Sequence, residues 1–100
     1  MTPHHISLPS DALNAFCRRH GVAKLSLFGS VLRDDFNATS DVDVLVEFLP
    51  GSSVSLFDMA AMELELSELI QRRVDLRTPE DLSRYFRDKV LAEAEVQYAA

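Results

Sequence analysis

From Asp41 to Phe48 the sequence reads DVDVLVEF, acid alternating with apolar residue at its start. That alternation constrains the fold more than any other stretch. A β-strand sends successive side chains to opposite faces. Asp41 and Asp43 therefore share one face, and Val42, Val44, Val46 and Phe48 share the other. Two carboxylates side by side over an apolar face make a site for a cation. Without one, their mutual repulsion raises a pKa. Upstream, Val22 to Phe28 reads as a strand that runs into Gly29-Ser30, ten residues before Asp41. Glycine permits a tight turn and close approach of a ligand to the backbone. Val31 to Phe36 suits a short helix, whose N-terminal N–H groups bind phosphate. Ser30 adds a hydroxyl donor. Arg33, one turn along, reaches a phosphate or fixes the loop. Taken alone, a Gly-Ser turn is a weak signal that a plain capped turn also explains, and an arbitrary Asp-x-Asp is more often a solvated strand end; Gly29-Ser30 and Asp75 together reverse that balance.

The bounds on the chain are narrow. One hundred residues make one domain with one core: residues 1–9 are expected as a flexible lead-in and 10–100 as the single domain. His4-His5 in the lead-in reads as solvated terminus rather than metal site. The formal net charge of −6 argues against a direct grip on nucleic acid, which needs Lys and Arg against phosphates. It suits a basic protein partner or a site that receives metal ions. A lone cysteine, Cys17, forms no internal disulfide, so the expected location is the cytoplasm. It reads as a packed core thiol. No apolar run reaches membrane-spanning length, and MTPHHISLPS reads as neither secretion signal nor anchor.

The remaining elements follow from periodicity. Ser10 is the expected N-cap of a first helix of about ten residues, with Leu13, Phe16 and Cys17 on its buried face and Gly21 as a left-handed terminator. Leu49 to Ser53 is a turn. A helix from Leu56 to about Arg72 carries Leu56, Met59, Met62, Leu66, Leu69 and Ile70 as its core stripe. Arg73 to Thr78 is a third strand, with Val74 and Leu76 on one face and Asp75 and Arg77 on the other. Arg77 either contacts phosphate or pairs with a carboxylate. Thr78 and Pro79 open a last helix, expected to reach about Tyr98, with Leu82, Tyr85, Phe86, Val90, Leu91 and Ala94 buried.

The expected fold is α/β, in the order αβαβαβα: a three-stranded mixed sheet packed with about four helices. The second and third strands are separated by a full helix, so they can run parallel, which would put Asp75 beside Asp41 and Asp43. Three carboxylates near a phosphate-binding turn suit Mg²⁺, which takes one or two carboxylates plus substrate phosphates. Two such ions about 3.5–4 Å apart clamp the attacking and leaving oxygens of an in-line displacement at phosphorus. The reaction class is phosphoryl or nucleotidyl transfer.

Gly29-Ser30, ten residues, then Asp41-Val42-Asp43 resembles the G-S-x10-D-x-D signature of the nucleotidyltransferase superfamily that includes DNA polymerase beta. Arg33, Ser40 before the first acid, and the later R-x-V-D-L segment ending at Leu76 resemble the minimal nucleotidyltransferases. These are small domains often paired with a HEPN-type toxin. The resemblance covers roughly residues 10–98 and implies a small nucleotidyltransferase fold. It implies that Asp41 and Asp43 ligate two Mg²⁺ ions, that Asp75 ligates the catalytic ion and orients or deprotonates the attacking hydroxyl, and that Gly29 and Ser30 bind the β- and γ-phosphates of ATP. It also implies AMP transfer to a hydroxyl, a tyrosine, of a cognate HEPN toxin, with this chain as the antitoxin. The alternative is a non-catalytic antitoxin that neutralises its partner by contact. A small-molecule acceptor is disfavoured by the lack of a second domain to hold it, so the acceptor surface must come from a partner or a second copy, in a hetero- or homo-oligomer. One departure stands out: members of the family often carry Gly where this chain has Gln71.

Overall fold

The computed structural model describes residues 9–29 and 41–100. Ser30, Arg33, the expected helix over residues 31–36, the loop over 37–40 and His4-His5 lie outside the described residues. The elements are α1 (Ser10–Arg19), β1 (Val22–Phe28), β2 (Val42–Phe48), α2 (Leu56–Ile70), β3 (Val74–Arg77), α3 (Arg87–Glu93) and β4 (Glu95–Ala99). A single 3₁₀ turn, Pro79–Asp81, lies between β3 and α3.

Helix α1 buries Leu13, Phe16 and Cys17, the i, i+3, i+4 face expected of it. Its cap differs from the expectation. Pro9 takes the capping position, with no side-chain cap, and its carbonyl accepts from the Leu13 N–H at 2.9 Å. Ser10 is therefore already helical. At the other end Gly21, at φ +69°, turns the chain out of the helix into β1. Helix α2 opens with a full capping box: the Ser55 hydroxyl accepts from the Asp58 N–H, and the Asp58 carboxylate accepts from the Ser55 N–H. The Ser55 N–H, and after it the Ser55 hydroxyl, hydrogen-bonds the charged carboxylate and holds the Asp58 pKa below the ordinary value.

The sheet order is β3-β2-β1-β4. Strands β1 and β2 are antiparallel, β2 and β3 parallel, and β1 and β4 antiparallel. The sheet is mixed, as expected, but has four strands rather than three. The extra strand comes from residues expected to complete the last helix. That helix does not run from Pro79 to Tyr98. Thr78 and Asp81 form a capping box as expected, yet only one 3₁₀ turn follows, and Leu82 is already extended. The Arg87 guanidinium explains the break. It donates to the carbonyls of Pro79 at 2.7 Å and Leu82 at 3.0 Å, groups that a continuous helix would have used itself. After seven helical residues the chain straightens at Ala94 and pairs with β1. Without β4, β1 would present a row of unpaired backbone groups. Satisfying that edge outweighs the helix preference of Ala and Glu. Of the expected stripe, Tyr85, Phe86 and Leu91 are exposed and none is buried.

The core lies on one sheet face. Val22, Leu25 and Leu27 of β1, Val42, Val44 and Val46 of β2, and Val74 and Leu76 of β3 pack with α1 and with Met62, Leu66 and Ile70 of α2. Met59, Leu69 and Tyr98 pack against it. Leu56, assigned to the core stripe by periodicity, is instead 87% exposed. It sits at the first helical position. Cys17 is fully buried, and burial pushes its thiol up to about 11, consistent with a packed thiol rather than a nucleophile. On the opposite face Ser26 and Leu45 are buried. Among the described residues no helix is long and apolar enough to cross a membrane.

Candidate active site

The parallel pairing of β2 with β3 places Val42 opposite Val74, Asp43 opposite Asp75 and Val44 opposite Leu76. Paired residues on neighbouring strands project to the same face, so Asp43 and Asp75 stand side by side. Asp41 lies two residues before Asp43, at the entry to β2. The Val42 N–H donates to the Arg73 carbonyl at 2.8 Å, which ties the two strand starts together. Three acids 34 positions apart in the sequence at their extremes thus reach one end of two adjacent strands.

Gly29 closes the site from β1. Phe28, its neighbour, pairs with Asp43 across the antiparallel ladder. Gly29 has φ +74°, a conformation that favours glycine, and a Cβ placed on it would overlap Oδ2 of Asp43 and lie 3.1 Å from its Cγ. The missing side chain is what leaves room for the Asp43 carboxylate against the turn. Asp75 is held from its own strand: its Oδ2 accepts from Arg77 Nη2 at 3.2 Å and Nε at 3.3 Å. Of the two roles open to Arg77, the structure has it paired with a carboxylate.

The acids divide between two hollows. Asp41 and Asp75 line a cavity of about 410 Å³ with Glu63, Leu64, Ser67 and Arg73. Asp43 and Gly29 line another of about 570 Å³ with Phe28, Phe86, Lys89 and Val90. Both volumes are in the range of small-molecule sites. One offers carboxylates beside an apolar side chain of α2. The other offers two aromatic rings and an ammonium.

Two side chains that sequence reasoning assigned to no site hold β3 in place. Ser67 Oγ accepts from the Val74 N–H at 3.0 Å and donates to the Glu63 carbonyl at 2.8 Å. Glu63 Oε2 accepts from the Leu76 N–H at 2.8 Å. Their i, i+4 spacing was visible, but their partners lie on a strand whose position only the fold decides. The turn into β3 uses Gln71 in the left-handed conformation, φ 61°, a region that favours glycine.

Carboxylates on adjacent strands are the hard oxygen donors that Mg²⁺ prefers. Among the described residues no group of three or more acid, imidazole or thiolate side chains is gathered closely enough to hold a metal ion by itself. An ion that draws its remaining ligands from phosphates and water needs none. The carboxylates of Asp41, Asp43 and Asp75 are of the donor type that suits such an ion.

The chain matches the family model for the nucleotidyltransferase domain over residues 10–97. A protein of Methanocaldococcus jannaschii that carries the provisional name protein adenylyltransferase MJ0435 is 40% identical over 76 residues, covering 76% of this chain and 80% of that one. A solved structure, described provisionally as a minimal nucleotidyltransferase, is similar with TM-score 0.69 at 38% identity and covers 85% of each chain. A chain of the re-refined complex of a tri-AMPylated Shewanella oneidensis HEPN toxin with an MNT antitoxin has TM-score 0.64 over 91% of this chain and 70% of its own. At 16% identity that likeness is one of fold.

Proposed function

The chain belongs to the nucleotidyltransferase domain family, and from that premise we propose that it transfers AMP from ATP to a hydroxyl, a tyrosine, of a HEPN-type toxin and acts in the cytoplasm as its antitoxin. The observation that carries the reading is the register of β2 against β3, with Asp43 beside Asp75 and Asp41 two residues before. The chemistry runs as follows. The acceptor oxygen attacks the α-phosphorus of ATP, the bond from that phosphorus to the bridging oxygen breaks, and pyrophosphate leaves. Asp75 orients the acceptor hydroxyl and takes its proton. Asp41 and Asp43 would hold Mg²⁺, with Asp75 sharing the catalytic ion. Bound there, the metal supplies Lewis-acid neutralisation of the charge on the phosphates. Gly29 lets the polyphosphate approach the backbone. Ser30 and Arg33, outside the described residues, take the phosphate-binding roles that their sequence motif implies.

A protein acceptor is supported by the surface beside the site. On helix α2, Phe57 and Leu64 are 88% and 70% exposed. Leu64 also lines the cavity of Asp41 and Asp75. A partner seated on α2 would therefore sit at the carboxylates. The same exposed face supports the second reading, neutralisation by contact alone. The MNT antitoxin and AMPylated HEPN toxin of the similar complex are the precedent for both.

The test uses ATP labelled at the α-phosphate, Mg²⁺, this chain and a HEPN protein encoded beside it. Label on a tyrosine of the partner, lost in Asp41→Asn, is the expected result. A complex that silences the toxin without label supports the contact reading. Label retained in full by Asp41→Asn overturns the assignment of the site.

A further inference from the structure

Strand β3 has four residues and lies at the edge of the sheet. It is nonetheless the strand that must present Asp75. A slip of one residue would send Asp75 to the opposite face, and so short an edge strand has few ladder bonds to resist the slip. Its two neighbours are bonded outward instead. Val74 N–H donates to Ser67 Oγ at 3.0 Å, and Leu76 N–H donates to Glu63 Oε2 at 2.8 Å. Residues four apart on a helix are about 6 Å apart along its axis, and residues two apart on a strand about 6.6 Å. The i, i+4 pair on α2 therefore matches the i, i+2 pair on β3 that brackets Asp75. We infer that Glu63 and Ser67 are positioning residues for the proposed transfer reaction: they clamp β3 in register from α2 and so hold Asp75 beside Asp43.

The inference rests on the reading of Asp41, Asp43 and Asp75 as the metal-bearing acids. Two alternatives to the clamp are separable. Glu63 lines the same cavity as Asp41 and Asp75, so it could serve as a ligand, or it could serve stability alone. Glutamine keeps the acceptor oxygen for Leu76 and discards the charge. A clamp tolerates that change, whereas a ligand does not. Threonine likewise keeps the hydroxyl of Ser67.

The experiment compares wild type, Glu63→Ala, Glu63→Gln, Ser67→Ala and Ser67→Thr. Backbone hydrogen exchange at Val74 and Leu76 reports the clamp. Mn²⁺ titrated into protein saturated with a non-hydrolysable ATP analogue reports the acids. The alanine variants should exchange these amides faster and bind Mn²⁺ about tenfold more weakly, the usual loss for an outer-shell partner. Glu63→Gln and Ser67→Thr should restore both. Mn²⁺ affinity unchanged in Glu63→Ala overturns the positioning role, and affinity lost equally in Glu63→Gln makes Glu63 a ligand and overturns it too. Wild-type protein that binds no Mn²⁺ overturns the metal-site reading, and the clamp's purpose with it. That outcome is read on wild type alone, so the two failures are distinct.

Discussion

Gly29 does at one position what no other residue can. Its positive φ is strained for any side chain, and the space a Cβ needs is occupied by Asp43. The two demands have different measurable signatures. Gly29→Ala should lose about 1–2 kcal/mol of stability from the left-handed conformation, read as a lower urea midpoint. Its transfer activity should fall much further than that loss of folded protein explains, because the Asp43 carboxylate must move. If activity falls only in proportion to unfolding, the Gly29–Asp43 contact has no part in the chemistry. Cys17 is the contrasting case. It is a chemically capable residue whose burial keeps the thiol protonated, and it contributes packing alone.

At the scale of elements, the short segment between α2 and β3 does the most work in the fewest residues. Gln71 caps α2 in the left-handed region, and its N–H returns to the Ser67 carbonyl. This aims β3 back along α2, where Ser67 and Glu63 receive it. A non-glycine residue in that conformation stores strain. Gln71→Gly should raise stability by up to about 1 kcal/mol, measured as an upward shift in thermal midpoint with Mn²⁺ affinity retained. A fall in stability would mean that the Gln71 side chain contributes more than its backbone strain costs. Helix α3 and strand β4 show the opposite balance. There the Arg87 side chain takes two carbonyls, and the open edge of β1 captures Glu95–Ala99, whatever the local helix preference.

At the scale of the whole molecule, the sheet separates stability from function. One face packs α1, α2 and the valine-rich strands into the core. The strand starts at its end carry the acids, and Phe57 and Leu64 of α2 are left exposed. Isolated exposed apolar residues are ordinary, but two large ones on one helix, Phe57 and Leu64, invite a covering surface. Phe57→Ser combined with Leu64→Ser should change folding stability by little, as surface substitutions do. The pair should weaken binding of the proposed HEPN partner about tenfold or more, a loss typical of interface anchors, measured by titration calorimetry with ATP binding as the control. Unaltered partner affinity would remove α2 from the interface.

Much of this was legible in the chain itself. The period-two run after Asp41, the i, i+3, i+4 face of α1, the glycine at its end and the full helix between the second and third strands are local patterns. Local sterics dictate them, so β1, β2, β3 and α1 lie where the patterns put them, and the parallel pairing that sets Asp75 beside Asp43 followed from the length of the connection. The rest depended on contacts between residues distant in sequence. A fourth strand forms because β1 has an edge to fill. Leu56, at the first position of α2, is exposed because no other described element packs over it. Glu63 and Ser67 matter because β3 lies alongside them. Sequence determined β1, β2 and β3 as strands and which face of each was apolar, because those follow from the backbone's own period of 2. Tertiary structure alone decided sheet order, the fate of the C-terminal segment and the clamp on β3, because unpaired backbone groups take whatever partner the finished packing brings within reach.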